Sequence, residues 1–478
     1  MWPMLKNHVL ELLTKNRGFD FTDSQKLMAD CLSGFIVSPP SDTLFMLRGF
    51  AGTGKTTMIN QLTGALDALH IKSVLMAPTG RAANVLSGYT GKPAFTIHKK
   101  IYRQKSNAEG FGVFVLDKNL HRDTWFIVDE SSMISDEASE LSLFGSGRLL
   151  ADLLEYVYQG EGCRLVLAGD TAQLPPVGTQ LSPALDEAYF ESNGFQVLAC
   201  ELSDVVRQER ESVILSNATR LRQQIFSPQG SGFFRIEILP EGDVERISGG
   251  DLLDRLNGCY DRYGMDQTIV LTRSNKRANL YNKGIRNSIL FRDTVISRGD
   301  MLMVVKNNYF WMKADQEGDF IANGEIGEIT HVYGYTELYG FRFADITLRL
   351  ADHGDEELDC KIVLDTLEVE AAALSRDDQV RLYHAILEDY PEIRNKRDRW
   401  KKVKADPWFN ALQVKFAYAV TCHKAQGGQW KAVFVDTGYL TEEMVDREFQ
   451  RWLYTAFTRT TEKLFLVNFD KRFFGEGE

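Results

Sequence analysis

The octet Gly49-Phe-Ala-Gly-Thr-Gly-Lys55-Thr56 constrains this chain more than any other segment. It follows an apolar run, Leu44–Leu47, and opens a helical pattern, Thr56–Leu69. Glycines at such a turn let successive backbone N–H groups curl around one anionic group, and the helix N-terminus adds partial positive charge. Lys55 at this spacing reaches the β- and γ-oxygens of a nucleoside triphosphate, and the Thr56 hydroxyl is placed to ligate Mg²⁺. Expected nucleotide contacts are Gly49, Ala51, Gly52, Thr53, Gly54, Lys55, Thr56 and Thr57.

A strand–loop–helix unit of this kind demands a parallel sheet with helices on both faces. The rest of the chain supplies one. Apolar runs at Val74–Ala77, Trp125–Val128, Leu165–Ala168 and Val197–Cys200 alternate with helical patterns, among them Asp136–Tyr158. A second such rhythm begins with strand Thr268–Leu271 and helix Asn275–Leu290. Short strands then replace it, at Met301–Val305, Ile326–Tyr333, Phe343–Leu350 and Lys361–Val369, followed by a charged helical stretch over 376–404. The α/β rhythm resumes with strands Phe416–Val420 and Val433–Val435, helix Met444–Phe457 and strand Leu464–Val467. The expected fold is α/β, with two parallel-sheet domains that resemble RecA-like P-loop domains and a small β-barrel-like insert in the second. The first spans 1–225, the second starts over 226–296 and continues over 412–478, and the insert occupies 297–411.

Composition narrows the function classes. The 478 residues are 44% hydrophobic and 25% charged, which suits folded domains rather than long disorder. No run of about 18 apolar residues occurs, so no membrane span is expected. Six scattered cysteines form no C-x-x-C pair, which implies free thiols in a reducing, cytoplasmic setting. A net charge of −11 argues against a surface coated with nucleic acid but leaves room for a local basic groove.

Carboxylates at the carboxyl end of a parallel strand point into the ligand crevice. Asp129 and Glu130 end the run Trp125–Val128. Asp129 is expected to hold Mg²⁺, and Glu130 to orient and deprotonate the attacking water. Gln173, in Gly169-Asp-Thr-Ala-Gln-Leu-Pro-Pro176, is a candidate partner for γ-phosphate and water. Arg207 and Arg459 are candidates to stabilise charge developing in phosphoryl transfer. Taken alone, each arginine is better explained by a surface ion pair. Thr79, His98, Thr421, His423 and Lys424 are phosphate donors at strand ends, the kind a single-strand groove needs. Outside any motif, His98 is equally a satisfied core histidine. Phe95, Tyr102, Phe111, Phe114 and Trp408 are the aromatic candidates for base stacking.

The order of these segments resembles superfamily 1 helicases of the class that moves 5′→3′, the RecD-like and Dda-like group. The resemblance runs from about residue 20 to 470 and is carried above all by Gly169–Pro176 and Thr421-Cys-His-Lys-Ala-Gln-Gly427. It implies that Phe21-Thr-Asp-Ser-Gln25 places Gln25 on adenine. It also implies that Ala77-Pro-Thr-Gly-Arg-Ala-Ala83, with Pro78, Thr79 and Arg81, and then Thr96-Ile-His98, contact DNA. Arg207-Gln208 matches the family's fourth motif, Ala419–Gly427 the fifth, and Tyr454-Thr-Ala-Phe-Thr-Arg459 the sixth. Residues 99–124 lie where the family carries a strand-separating pin, and the insert lies where it carries a Src-homology-type barrel.

The implied activity is ATP- and Mg²⁺-dependent unwinding of DNA, with single-stranded and tailed duplex DNA as partners and one chain as the working unit. Single-strand-binding or repair proteins are implied as further partners. An RNA-directed helicase, a DNA-stimulated translocase subunit of a repair or recombination complex, and an ATP-switched adaptor remain the alternatives at this stage.

Overall fold

The structure, a computed structural model, describes residues 2–15, 20–37, 42–105, 113–137, 145–206, 212–228, 232–312, 321–350, 356–371 and 373–475. The chain forms two compact units. The first comprises 1–103, 114–237 and 442–458, and the second 104–113, 238–441 and 459–478.

A six-stranded parallel sheet organises the first unit. Its order is Ala94–Thr96, Lys72–Ala77, Thr124–Val128, Arg164–Gly169, Thr43–Gly49 and Gln196–Leu202. The interior strands are apolar along their length because both faces are covered, and Thr43–Gly49 and Thr124–Val128 are buried almost throughout. Helices Asp23–Val37 and Lys55–Ala68 cover one face through Met28, Leu32, Phe35, Met58, Ile59 and Leu62. The N-terminal helix Trp2–Thr14 adds Val9 and Leu13 to that core. Its mixed composition hid it from the sequence.

The second unit holds a five-stranded parallel sheet, ordered Ala419–Thr421, Thr268–Thr272, Trp430–Asp436, Thr460–Val467 and Val244–Ile247. A closed barrel interrupts it, built from Met301–Val304, Ile326–Leu338, Phe341–Leu350, Glu356–Val363 and Leu412–Phe416. The barrel has its own core, including Leu302, Ile329, Ile346, Leu348, Ile362 and Val414.

Several expected boundaries differ. The apolar run 416–420 is not one strand. Leu412–Phe416 closes the barrel and Ala419–Thr421 joins the parallel sheet, so the barrel extends past 411. The expected strand 361–369 ends at Val363. The helix Asp365–Glu368 follows, where the Thr366 hydroxyl donates to the carbonyl of Val414. Of the expected helix 136–158, the described helical part is Leu149–Gln159, after a turn with Gly145 and Gly147 at positive φ. The helix Arg447–Phe457 packs within the first unit, although the strands that precede and follow it in sequence belong to the second.

Barrel and parallel sheet are joined within the second unit by a buried ionic cluster. Asp300, fully buried, accepts from Arg286 Nε (3.1 Å), Arg292 Nη1 (2.7 Å), the Tyr418 hydroxyl (2.9 Å) and the Ser297 N–H (2.7 Å). Tyr418 stands between the last barrel strand and the first sheet strand, and its oxygen also accepts from the Met301 N–H. Removing one member of such a cluster strands the others without water. Asp300→Ala is therefore expected to destabilise the second unit by about 3–5 kcal/mol, read by urea unfolding and by faster amide exchange in 268–304. A loss below about 1 kcal/mol, the range of an exposed ion pair, would contradict the role given to this cluster.

Candidate active site and nucleic-acid contacts

The phosphate loop joins strand Thr43–Gly49 to helix Lys55–Ala68, as the glycine pattern requires. Gly52 and Gly54 take positive φ, 73° and 84°. A Cβ on Gly54 would also lie 2.5 Å from Gln25 Nε2, so both conformation and space select glycine there. Lys55, Thr56 and Thr57 are partly exposed in the first turn of the helix.

Gln25 is buried and braces this loop. Thr22 and Gln25 form a reciprocal helix cap, in which the Gln25 amide oxygen accepts from the Thr22 N–H (3.0 Å) and the Thr22 hydroxyl accepts from the Gln25 N–H (3.3 Å). Gln25 Nε2 donates to the Thr53 carbonyl (3.1 Å). Next to it, Ser24 and Asp204 exchange hydrogen bonds, and the Val206 N–H donates to the Gly52 carbonyl (2.9 Å). The chain thus meets the phosphate loop one residue before Arg207, which itself lies outside the described residues.

Asp129 and Glu130 end their strand as expected. Asp129 is largely buried, its N–H bonded to the Met76 carbonyl and its Oδ1 accepting from the Glu130 N–H (2.8 Å). Glu130 takes φ 53°, a left-handed conformation that costs a non-glycine residue about 1 kcal/mol or more and clusters at functional sites. Gln173 is buried, and its Oε1 has no protein donor among the described residues. That acceptor and the Thr56–Asp129 pair suit a hydrated Mg²⁺–nucleotide. A hard cation held by one carboxylate and one hydroxyl completes its octahedron with phosphate oxygens and water.

Asp170 was legible only as part of its motif, and the structure makes it central. It is fully buried at the end of strand Arg164–Gly169, and burial raises its pKa while the nearby charge of Lys55 opposes the rise. The Tyr454 hydroxyl donates to Asp170 Oδ2 (2.7 Å) and accepts from the Ala51 N–H (3.0 Å). Thr455 Oγ1 accepts from the Leu174 N–H (2.9 Å), and Arg451 donates to the carbonyls of Thr171 and Gln173. The Ala51 N–H, expected at the phosphate, is thus engaged by a side chain. Arg459 belongs to the second unit, where it is buried and donates to the Gly428 carbonyl (3.3 Å).

Of the expected DNA contacts, Pro78, Thr79 and Arg81 sit partly exposed at the end of strand Lys72–Ala77 and the start of helix Gly80–Thr90. The Thr79 hydroxyl caps that helix by accepting from the Ala82 N–H (3.2 Å). Thr421, His423 and Lys424 lie together in the second unit, at the end of strand Ala419–Thr421 and in the short helix after it, and burial lowers the Lys424 pKa. The stacking candidates fare worse. Tyr102 is buried with its hydroxyl donating to Asp152 (2.6 Å), Phe114 is buried, and Trp408 packs on Phe343 with Lys361 Nζ 3.8 Å from its ring centre. These rings fill cores because apolar area gains more from burial than from a solvent-facing position. Phe95 stays partly exposed under Lys100, and Phe111 lies outside the described residues. Strands Tyr102–Lys105 and Val113–Leu116 do pair as a hairpin at the expected pin, and the residues joining them, 106–112, are likewise outside.

A phosphate loop and a strand-end Asp-Glu pair on a parallel sheet define a P-loop nucleoside triphosphatase. Two family profiles match the chain, "AAA domain" over residues 37–227 and "UvrD-like helicase C-terminal domain" over 416–467. The chain is 24% identical to the ATP-dependent DNA helicase Pif1 of Psychrobacter sp., covering 82% of this chain and 61% of that protein. It is 26% identical to the ATP-dependent RecD2 DNA helicase of Deinococcus radiodurans, over 88% of this chain and 46% of that one. The ATP-dependent DNA helicase dda of Enterobacteria phage T4 is 23% identical, over 88% of this chain and 93% of its own length. The chain therefore spans less than two thirds of the first two relatives and nearly all of the third. In both profiles and in all three relatives, the chain is similar to the superfamily 1 helicases of the Pif1-, RecD2- and Dda-like group.

His98 yields a pH prediction. Burial pushes its pKa down from 6.5 to about 4, with Asp152 opposing, so the ring is neutral at physiological pH. A lowered histidine pKa means that the unfolded chain binds the proton first as pH falls. Stability from this group is then full above about pH 6.5 and is lost as pH falls towards 4. His98→Gln is expected to flatten the fall in urea stability between pH 6.5 and 4. An unchanged acid limb would show that His98 does not carry it.

Proposed function

We propose that this chain is an ATP-dependent DNA helicase that moves 5′→3′ along single-stranded DNA and opens tailed duplexes. The observation that carries the reading is a phosphate loop and a strand-end Asp-Glu pair on one parallel sheet, in a chain whose far end matches a helicase C-terminal domain. Lys55 and the loop N–H groups hold the β- and γ-phosphates. Mg²⁺, held by Thr56 and Asp129, would neutralise charge on the phosphate oxygens. Glu130 takes the proton of the attacking water, and the buried Gln173 carbonyl orients that water. Arg207 and Arg459 stabilise the charge that develops on the transferred phosphoryl group.

Hydrolysis then alternates the grip of two strand-end clusters on the DNA backbone, Pro78, Thr79, Arg81 and His98 in the first unit and Thr421, His423 and Lys424 in the second. Because one chain carries both arginines, no second copy has to supply a finger, which supports a monomeric motor. The described cysteines form no disulfide, and no described helix is long and apolar enough to cross a membrane. Both fit work in the cytoplasm, beside single-strand-binding or repair proteins.

The test is strand separation on duplexes carrying a 5′ or a 3′ tail, in DNA and in RNA. ATP-dependent opening of the 5′-tailed DNA duplex is expected. Equal opening of the 3′-tailed duplex would overturn the polarity, and preference for RNA would overturn the substrate. Lys55→Ala should lower single-strand-stimulated ATP turnover by at least a hundredfold, and Glu130→Gln should do the same while leaving ATP binding within about threefold. Retained turnover in either variant would contradict the assigned role.

A further inference from the structure

Helix Arg447–Phe457 is the last segment of the first unit, and the chain passes into the second between Thr458 and Arg459. Its N-terminus is fixed by Asp446, which accepts from the Phe449 N–H (2.8 Å). Its inner face meets the Asp170–Leu174 loop through Arg451, Tyr454 and Thr455. Tyr454 also reaches the phosphate loop.

We infer that Tyr454 is a positioning residue for ATP hydrolysis: its hydroxyl joins the Ala51 N–H of the phosphate loop to Asp170, at the start of the loop that carries Gln173. The inference rests on the hydrolytic reading given above. Tyr454 and Asp170 are both fully buried, so their hydrogen bond has no competing solvent. The bridge lies in the reacting neighbourhood, because the charges of Lys55 and Glu130 both act on Asp170.

Three features give the bridge its consequence. Gln173 is three residues from Asp170 and its N–H bonds back to the Asp170 carbonyl, so the carboxylate and the glutamine move as one turn. The phosphate loop fixes where the γ-phosphate lies. The distance between that phosphate and the Gln173 carbonyl is therefore set through Tyr454, and a misplacement near 1 Å costs about a hundredfold in an oriented reaction. Finally, the helix that carries Tyr454 runs directly into the chain of the second unit. Phosphate binding itself does not need the hydroxyl, because Lys55 and the first-turn N–H groups of helix Lys55–Ala68, which have no carbonyl one turn earlier in the helix, serve the nucleotide.

Tyr454→Phe removes the bridge and keeps the buried ring. In full-length protein, kcat for ATP hydrolysis is expected to fall about tenfold, while the Kd for ADP stays within twofold and Tm within a few degrees. The Asp170→Asn variant is expected to lower kcat similarly, and the double variant to lose no more than either single one, as members of one unit do. Unchanged kcat in Tyr454→Phe would overturn the inference. So would a parallel loss of ADP affinity and Tm, which marks a role in folding alone, or a double variant whose losses multiply. Wild-type protein that fails to hydrolyse ATP would instead refute the hydrolytic reading.

Discussion

Much of the first unit is organised by a requirement of the phosphate loop. A turn that offers several backbone N–H groups to an anion must hold them still without using them up. The loop is tied mainly through its carbonyls, and of its N–H groups those of Ala51 and Thr53 are also engaged. The Thr53 carbonyl accepts from Gln25, the Gly52 carbonyl from Val206, the Phe50 carbonyl from the Thr53 hydroxyl, and the Ala51 N–H donates to Tyr454. These ties come from the helix Asp23–Val37, the segment leading to Arg207, the loop itself and the helix Arg447–Phe457. On the proposed reading, segments far apart in sequence converge because each supplies one constraint on the same turn.

Two local costs fall where hydrolysis is proposed to occur. Glu130 adopts a left-handed backbone that bulky residues avoid, and Gln173 buries an acceptor without a protein donor. Both raise the energy of the resting protein. Such costs persist where the surrounding structure over-determines a conformation, and here the buried strands Thr124–Val128 and Arg164–Gly169 do so. The second unit solves a different problem. Its barrel has a separate hydrophobic core, and the Asp300 cluster fixes it to the parallel sheet at the point where Tyr418 leads from one to the other.

The α/β architecture was legible because buried parallel strands are long apolar runs and the phosphate loop is a backbone device that needs glycine. Thr43–Gly49 and Thr124–Val128 stand where their hydrophobicity puts them. Boundaries failed where one apolar run serves two sheets, as at 412–421, since hydrophobicity does not record which partner a strand takes. The helix Trp2–Thr14 failed because few of its positions are buried. At the site, charged and glycine positions were legible by spacing, and Tyr454 was not. A tyrosine in an apolar helix looks like core until the partner of its hydroxyl is known. Asp170 was hidden in the same way, beside a glutamine that drew the chemical reading. The aromatic stacking candidates erred in the opposite direction, since Tyr102 and Phe114 are buried and the half-buried Trp408 packs against the core of the insert.

The central claim is that ATP splitting at this loop drives directed travel along a single strand. Release of streptavidin from biotinylated single-stranded DNA measures that travel without any duplex to open. The account predicts ATP-dependent release from the 3′ end, far faster than spontaneous loss and faster than from the 5′ end. ATP turnover stimulated by the same DNA with no release from either end would contradict it.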